Sequence, residues 1–168
     1  MRRSFCRRVA DRMSPALIHA TTVALAVDAD GPLAGLAILG PTGSGKSLLA
    51  LSLIDGCRYS RTLLVADDAT IITAEGDKLV ASAPDRVKGL LEVRGYGPAP
   101  LKSHSGVPLL LALNLADCAA RMPERSLLQP IAGGPGIPMF PFVWAGQEGS
   151  APHRARKMAV AILNGQIL

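Results

Sequence analysis

The sequence predicts an α/β domain, a mixed β-sheet built around a phosphate-binding loop, and three observations predict it. The stretch "LAILGPTGSGKSLLALSLI", residues 36–54, places a G-x-x-x-x-G-K-[ST] pattern at Gly40 to Ser47 between an apolar run and a leucine-rich, helix-forming run. Strand-like segments outnumber helical ones over the first hundred residues, each bounded by a turn signal. The segment that follows the loop helix, "TLLVADD", ends in two aspartates, as a buried strand opening towards a phosphate site would.

Taken in chain order, residues 1–14 read as a basic, solvated N-terminal arm and residues 15–168 as one domain. Leu17 to Val27, "LIHATTVALAV", is β-branched and apolar; "DADGP" is a turn, and Leu33 to Leu39 returns as the second arm of a hairpin that leads into the loop. In the loop, glycines let backbone N–H groups converge on a phosphate, and Leu48 to Ile54 supplies the helix whose N-terminus completes the anion site. "TLLVADD" is the next strand, and "ATIITAEGDKLVASA" gives two strands joined at Glu75-Gly76-Asp77. In "RVKGLLEVRG", residues 86–95, Leu91 and Val93 alternate with Glu92 and Arg94, so one face is apolar and the other charged. "VPLLLALNLA" is a buried strand, "IPMFPFVWA" an irregular one limited by its prolines, and "HRARKMAVAILNGQ" a C-terminal helix ending near Gly165.

Bulk properties narrow the classes. A chain of 168 residues, 49% hydrophobic with mean hydropathy +0.29, can bury a full core. Its longest apolar stretches, such as Val107 to Leu113, are far too short to span a bilayer, so a soluble protein that does not insert in a membrane is expected. Of the net charge of +5, Arg2, Arg3, Arg7, Arg8 and Arg12 against Asp11 place +4 in the first twelve residues. The rest is nearly balanced, which argues against a nucleic-acid-binding surface. An arginine-rich, acid-poor start also occurs in organellar transit peptides. Cys6, Cys57 and Cys118 show no C-x-x-C spacing, and a reducing, cytoplasmic setting is the simple inference. His19, His104 and His153 are scattered, His104 and His153 with no motif around them, and Trp144 reads as packing.

The chemistry-bearing residues follow from the loop. Gly40, Pro41, Thr42, Gly43, Ser44, Gly45, Lys46 and Ser47 form the phosphate cradle; Lys46 reaches the outer phosphate oxygens and Ser47 puts its hydroxyl on magnesium. Asp67 and Asp68 suit magnesium binding or proton transfer, and strand alternation sends their side chains in different directions, so one of the two faces the γ-phosphate. Glu92 can ligate a metal and Arg94 can hold a phosphate bidentately, although a solvated charged face has the same pattern.

The ordered set "IHATTVAL", G-x-x-G-x-G-K-S, "LVADD" and "LLEVRGYG" resembles the catalytic domain of HPr kinase/phosphorylase, from about Ala16 to about Leu163. The resemblance implies a P-loop kinase domain of the HPr kinase / phosphoenolpyruvate carboxykinase type. It also implies ATP and Mg2+ as cofactors, and transfer of phosphate to a serine of an HPr-type phosphocarrier of the phosphotransferase system. Many members of that family also run the reverse phosphorolysis, and hexamers are implied as the homo-oligomer. By position, His19 matches an active-site histidine and Lys46 the loop lysine. Asp67 matches the base towards the substrate serine, Asp68 stands beside it as a further metal-site residue, and Glu92 matches a magnesium position. Arg121 in "ARMPE" is the counterpart of a catalytic arginine, with Arg125 competing. The connection from loop helix to "LVADD" is longer than in the family, and "IPMFPFVWAGQEGSAPHRARK" resembles the family's dephosphorylation stretch only loosely, so kinase activity is the expected direction. Two other readings of the same loop are a small-molecule kinase or ATPase, and a nucleotide-sensing module without transfer.

Overall fold

A computed structural model describes residues 13–115, 124 and 126–166. The strands run β1 (Ala16–Ile18), β2 (Thr21–Leu25), β3 (Ala34–Leu39), then helix α1 (Lys46–Asp55), followed by β4 (Leu63–Ala66), β5 (Thr70–Glu75) and β6 (Lys78–Ser82). After one 3-10 turn at Asp85–Val87 come β7 (Leu90–Val93), β8 (Gly97–Pro100), β9 (Val107–Asn114), β10 (Ser126–Leu128), β11 (Ile137–Pro141) and helix α2 (Ala151–Leu163).

Nine of these strands share one mixed sheet, in the order β1-β5-β6-β9-β3-β2-β4, with β11 also on β9 and β10 on β11. β3 runs parallel to β9, and β9 parallel to β11, whereas β2 is antiparallel to both β3 and β4. The α/β class and the mixed sheet read from the sequence are therefore those of the structure. The hairpin at Glu75-Gly76-Asp77 forms as expected, with Glu75 opposite Lys78.

One strand differs. Leu17 to Val27 reads as continuous but breaks at His19-Ala20: β1 pairs with β5, and β2 with β3 and β4. The break follows from the pairing, because the two halves serve different neighbours while both remain apolar. It also lifts His19 out of the sheet, leaving it exposed between two strand ends.

Two apolar layers cover the sheet, and alternation along the strands sorts residues between them. Val23, Leu25, Leu36, Ile38, Leu111 and Leu113 pack with Leu49 and Leu53 of α1 and with Ala151, Ala155 and Ala159 of α2. Ala24, Ala37, Ala112, Ile72, Leu79 and Ile137 lie in the second layer, against which Met13 also packs. The alanines recur every four residues on α2, and a side chain that small lets α2 close on α1 and β9.

Leu110 is an extra residue in β9. Gly35 pairs with Leu109 and Leu36 with Leu111, and the slip reverses the parity: Leu109 belongs to the second layer, Leu111 to the first. Before the bulge β9 pairs with β6; beyond it β9 carries β11 on that side. The bulge thus joins the β5-β6 ribbon to the sheet that holds the loop.

Candidate active site

The loop between β3 and α1 is shaped for an anion. Gly40 has φ 145°, and a Cβ there would come within 2.7 Å of the Ser44 hydroxyl and 2.9 Å of the Leu115 carbonyl. Gly45 has φ 94°, and a Cβ there would collide with the Trp144 indole. No side chain caps α1, so its first N–H groups remain available to a ligand. Ser44 Oγ is buried and has no hydrogen-bond partner, a donor left over inside the loop.

Lys46 lies 6% exposed at the start of α1, where its ammonium donates to Gly40 O, Pro41 O and His19 Nε2, each at 3.1 Å. An ammonium only donates, so His19 Nε2 accepts and Nδ1 carries the proton. That Nδ1–H reaches Asp68 O at 3.0 Å and Asp68 Oδ1 at 3.1 Å. The result is a chain Lys46–His19–Asp68 along the rim of the loop, made possible by the break between β1 and β2.

Asp67 follows β4 and is 8% exposed. Its Oδ1 accepts from Thr21 Oγ1 at 2.7 Å and from Ser47 Oγ at 2.8 Å, while Oδ2 accepts from the Glu92 backbone N–H at 2.8 Å. Asp68 turns the other way: its φ is 63°, a left-handed conformation that aspartate tolerates, and its side chain is 74% exposed. The two aspartates therefore diverge as expected, Asp67 to the loop serine and Asp68 to His19, although the cause is the left-handed turn at Asp68 and not strand alternation, since β4 ends at Ala66.

Glu92 and Arg94 enter from β7 and the turn after it. Leu91 is buried and Glu92 and Arg94 are exposed, in keeping with the expected alternation. Arg94 Nη2 lies 3.6 Å from the position a Cβ on Gly43 would take, so its guanidinium stands over the loop. Loop residues, Asp68, Glu92 and Arg94 line one cleft of about 890 Å³, closed on a further side by Phe142, Trp144 and Glu148.

Oxygen donors gather here: the Ser47 hydroxyl, the adjacent Asp67 carboxylate and the Glu92 and Asp68 carboxylates at the cleft. Among the described residues no three His, Cys, Asp or Glu side chains converge as a cation cage. Magnesium in phosphoryl transfer needs none, being held by one or two carboxylates with phosphate oxygens and water. The donor set is hard and suits that ion.

Of the residues expected at the site, His19, the loop from Gly40 to Ser47, Asp67, Asp68, Glu92 and Arg94 come together; Arg121 and Arg125 lie outside the described residues. Three were missed. Thr21 is fully buried on a strand, and a buried hydroxyl demands a partner, a signal that was present in "HATTV". Trp144 does pack in the core, 8% exposed, but it also forms part of the cleft wall. Glu148, in an irregular segment, carried no signal at all.

No helix among the described residues is long and apolar enough to cross a membrane. The family model described as HPr Serine kinase C-terminal domain matches residues 19–109, more than half the chain and the span that holds every site residue from His19 to Arg94. HPr kinase/phosphorylase of Peptoclostridium acidaminophilum is 39% identical over 89 residues, covering 52% of this chain and 28% of the relative. The same enzyme of Caldanaerobacter subterraneus subsp. tengcongensis is 45% identical over 74 residues, 44% of this chain and 23% of the relative. These matches thus span less than a third of each relative's length. A solved structure, the Hpr(Ser) kinase/phosphatase from Coxiella burnetii, superposes with a TM-score of 0.70 at 21% identity, over 89% of this chain and 92% of that one, and so shares the fold. With its loop, paired aspartates and β7 carboxylate inside the matched span, the chain belongs to the HPr serine kinase C-terminal domain family.

Proposed function

We propose that this chain is an ATP- and magnesium-dependent protein-serine kinase that acts on an HPr-type phosphocarrier in the cytoplasm. The observation that carries the reading is the meeting of Asp67 with the Ser47 hydroxyl beside Lys46, in the family's own matched span. A loop that only turned the chain would need neither a strand-end carboxylate on its serine nor a lysine drawn over its carbonyls.

Ser47 and Glu92, with Asp68 beside them, would hold magnesium, which when bound neutralises charge on the β- and γ-phosphate oxygens. The loop N–H groups and Lys46 bind those phosphates, and Arg94 adds a guanidinium from above. The acceptor serine oxygen bonds to the γ-phosphorus as the bond to the β-bridging oxygen breaks; the serine proton passes to a carboxylate and ADP leaves. Asp67 is the proposed base, fixed by Thr21 and the Glu92 N–H, and the same group would return the proton in the reverse direction. His19 orients Lys46 through Nε2. Arg121 is proposed as a further catalytic group, and assembly into a hexamer is part of the same reading; both rest on the family alone.

A second reading of the base is favoured by one observation. All of Asp67's hydrogen bonds point inward, whereas Asp68 is solvent-facing and bonded to His19. Asp68 would then take the serine proton while Asp67 positions Ser47.

The test of the function is incubation with γ-labelled Mg-ATP and a panel of HPr-type carriers, each also prepared with its serines changed to alanine. Label on one carrier serine is expected. Normal nucleotide binding with no labelled carrier would sink the kinase reading and leave an ATPase or a sensor.

A further inference from the structure

Beside the cleft, the β7-β8 ribbon presents a face that the chemistry of the site leaves unused. Leu91, Val93 and Leu101 pack its inner side on the core. It is tied at two further points: the Glu92 N–H donates to Asp67 Oδ2 at 2.8 Å, and Lys102 O accepts from the Leu64 N–H of β4 at 3.3 Å. Glu92 and Arg94 reach the cleft from this ribbon, so whatever rests on its outer side is held in register with Asp67 and the loop.

That outer side is aromatic at the tip and basic at the other end. Tyr96, in the hairpin turn two residues beyond Arg94, is 80% exposed; beside it are Gly95 and Gly97, at either of which a Cβ would meet nothing within 4 Å. Pro98 and Pro100 continue the exposed surface along β8. At the far end the Leu101 N–H donates to Gly89 O at 2.8 Å, which brings Lys88 and Lys102, both exposed, to the same end of the ribbon. Arg86, Lys88, Arg94 and Lys102 against Asp85 and Glu92 give residues 85–102 a net charge of +2, whereas residues 13–168 as a whole carry +1. Among the described residues none of the four cations is ion-paired. Two ammonium groups at one end repel each other, and carboxylates on a facing surface would relieve that.

We infer that this ribbon is the docking surface for the acceptor protein, Tyr96 seating in an apolar hollow of the partner while Lys88 and Lys102 pair with carboxylates that flank its acceptor serine. An exposed aromatic with a charged rim is the composition of an interface anchor. Lys102 stands four residues along the ribbon from Pro98, which lies opposite Glu92, so the partner's carboxylates would lie roughly 13 Å from the part of it that enters the cleft. This rests on the kinase reading above and adds which face of the chain selects the acceptor.

Transfer from Mg-ATP to an HPr-type carrier would be followed at varied carrier and at varied ATP for the wild type, for Lys88→Glu combined with Lys102→Glu, and for Tyr96→Ala, all changes falling on exposed residues. The double change should raise KM for the carrier about tenfold and Tyr96→Ala severalfold, with kcat and KM for ATP unchanged in both. Added salt should raise the wild-type KM for the carrier and not that of the double variant. Carrier KM unmoved in either variant, or KM for ATP rising as much as that for the carrier, overturns the docking surface and leaves the kinase reading standing. A variant that alters the sedimentation of the carrier-free protein overturns it as well, and gives the face to a second copy of the chain. A wild type that labels no carrier removes the kinase reading, and the docking surface with it.

Discussion

The Ser47 hydroxyl donates to Asp67 Oδ1 across 2.8 Å, joining the end of the phosphate loop to the end of β4. Twenty residues separate the two in sequence. The contact exists because β2 lies between β3 and β4 in the sheet, so the ends of the two outer strands open on the same side. Thr21, at the start of that middle strand, donates to the same oxygen at 2.7 Å, and the shared acceptor fixes where the carboxylate can point.

Thr21→Val keeps the shape of the side chain and deletes one donor to Asp67. It is expected to cost about 1–2 kcal/mol in denaturant unfolding, since a buried carboxylate oxygen loses a partner. A fall in kcat with KM for ATP nearly kept should accompany it, because Asp67 loses its orientation while the cradle stays intact. An unchanged kcat would mean that Thr21 serves the fold alone.

Gly45→Ala meets two penalties at once. A left-handed φ of 94° is costly for alanine, by about 1–3 kcal/mol, and the added methyl runs into Trp144. The variant should unfold roughly 5 °C or more below the wild type in a thermal scan, and its nucleotide affinity should drop sharply. A stable variant with normal affinity would contradict the packing of Trp144 under the loop.

Cys57, just beyond α1, is 6% exposed and among the described residues it forms no disulfide. Burial pushes its thiol up, but hydrogen bonding by the Thr62 side chain and by the backbone of Arg61, Thr62 and Tyr59 more than offsets that and brings it to about 7. The thiolate therefore forms as pH rises through about 7, below the ~8.5 of an ordinary cysteine. Peptide-resolved alkylation followed by mass spectrometry should show the Cys57 rate rising with a midpoint near 7. A midpoint near the ordinary value would show that the polar groups do not hold the sulfur.

The loop and the hairpin into it were legible because each is local: glycine spacing, turn residues and the switch from strand to helix all sit in one window. The sheet order was not. β1 and β2 form one apolar run, and nothing in their composition tells that β1 leaves to join β5, yet that departure is what exposes His19 to Lys46. In the same way, "VPLLLALNLA" hides the bulge at Leu110, since every neighbour is apolar and a change of parity leaves no trace. At the site, the paired aspartates were readable as a pair, but their division, one to Ser47 and one to His19, depends on the left-handed turn at Asp68. Trp144 and Glu148 reach the cleft through irregular chain, where periodicity carries no information.

The most direct measurement is the rate of phosphate transfer from γ-labelled ATP to an HPr-type carrier by the wild type, Asp67→Asn and Asp68→Asn, with ATP affinity measured on the same three proteins. Wild-type transfer to a carrier serine, lowered roughly 100-fold or more in Asp67→Asn with ATP affinity nearly kept, is the predicted result. Transfer that survives in Asp67→Asn and is lost in Asp68→Asn would move the base to Asp68, and a wild type that binds ATP and labels no carrier would contradict the account.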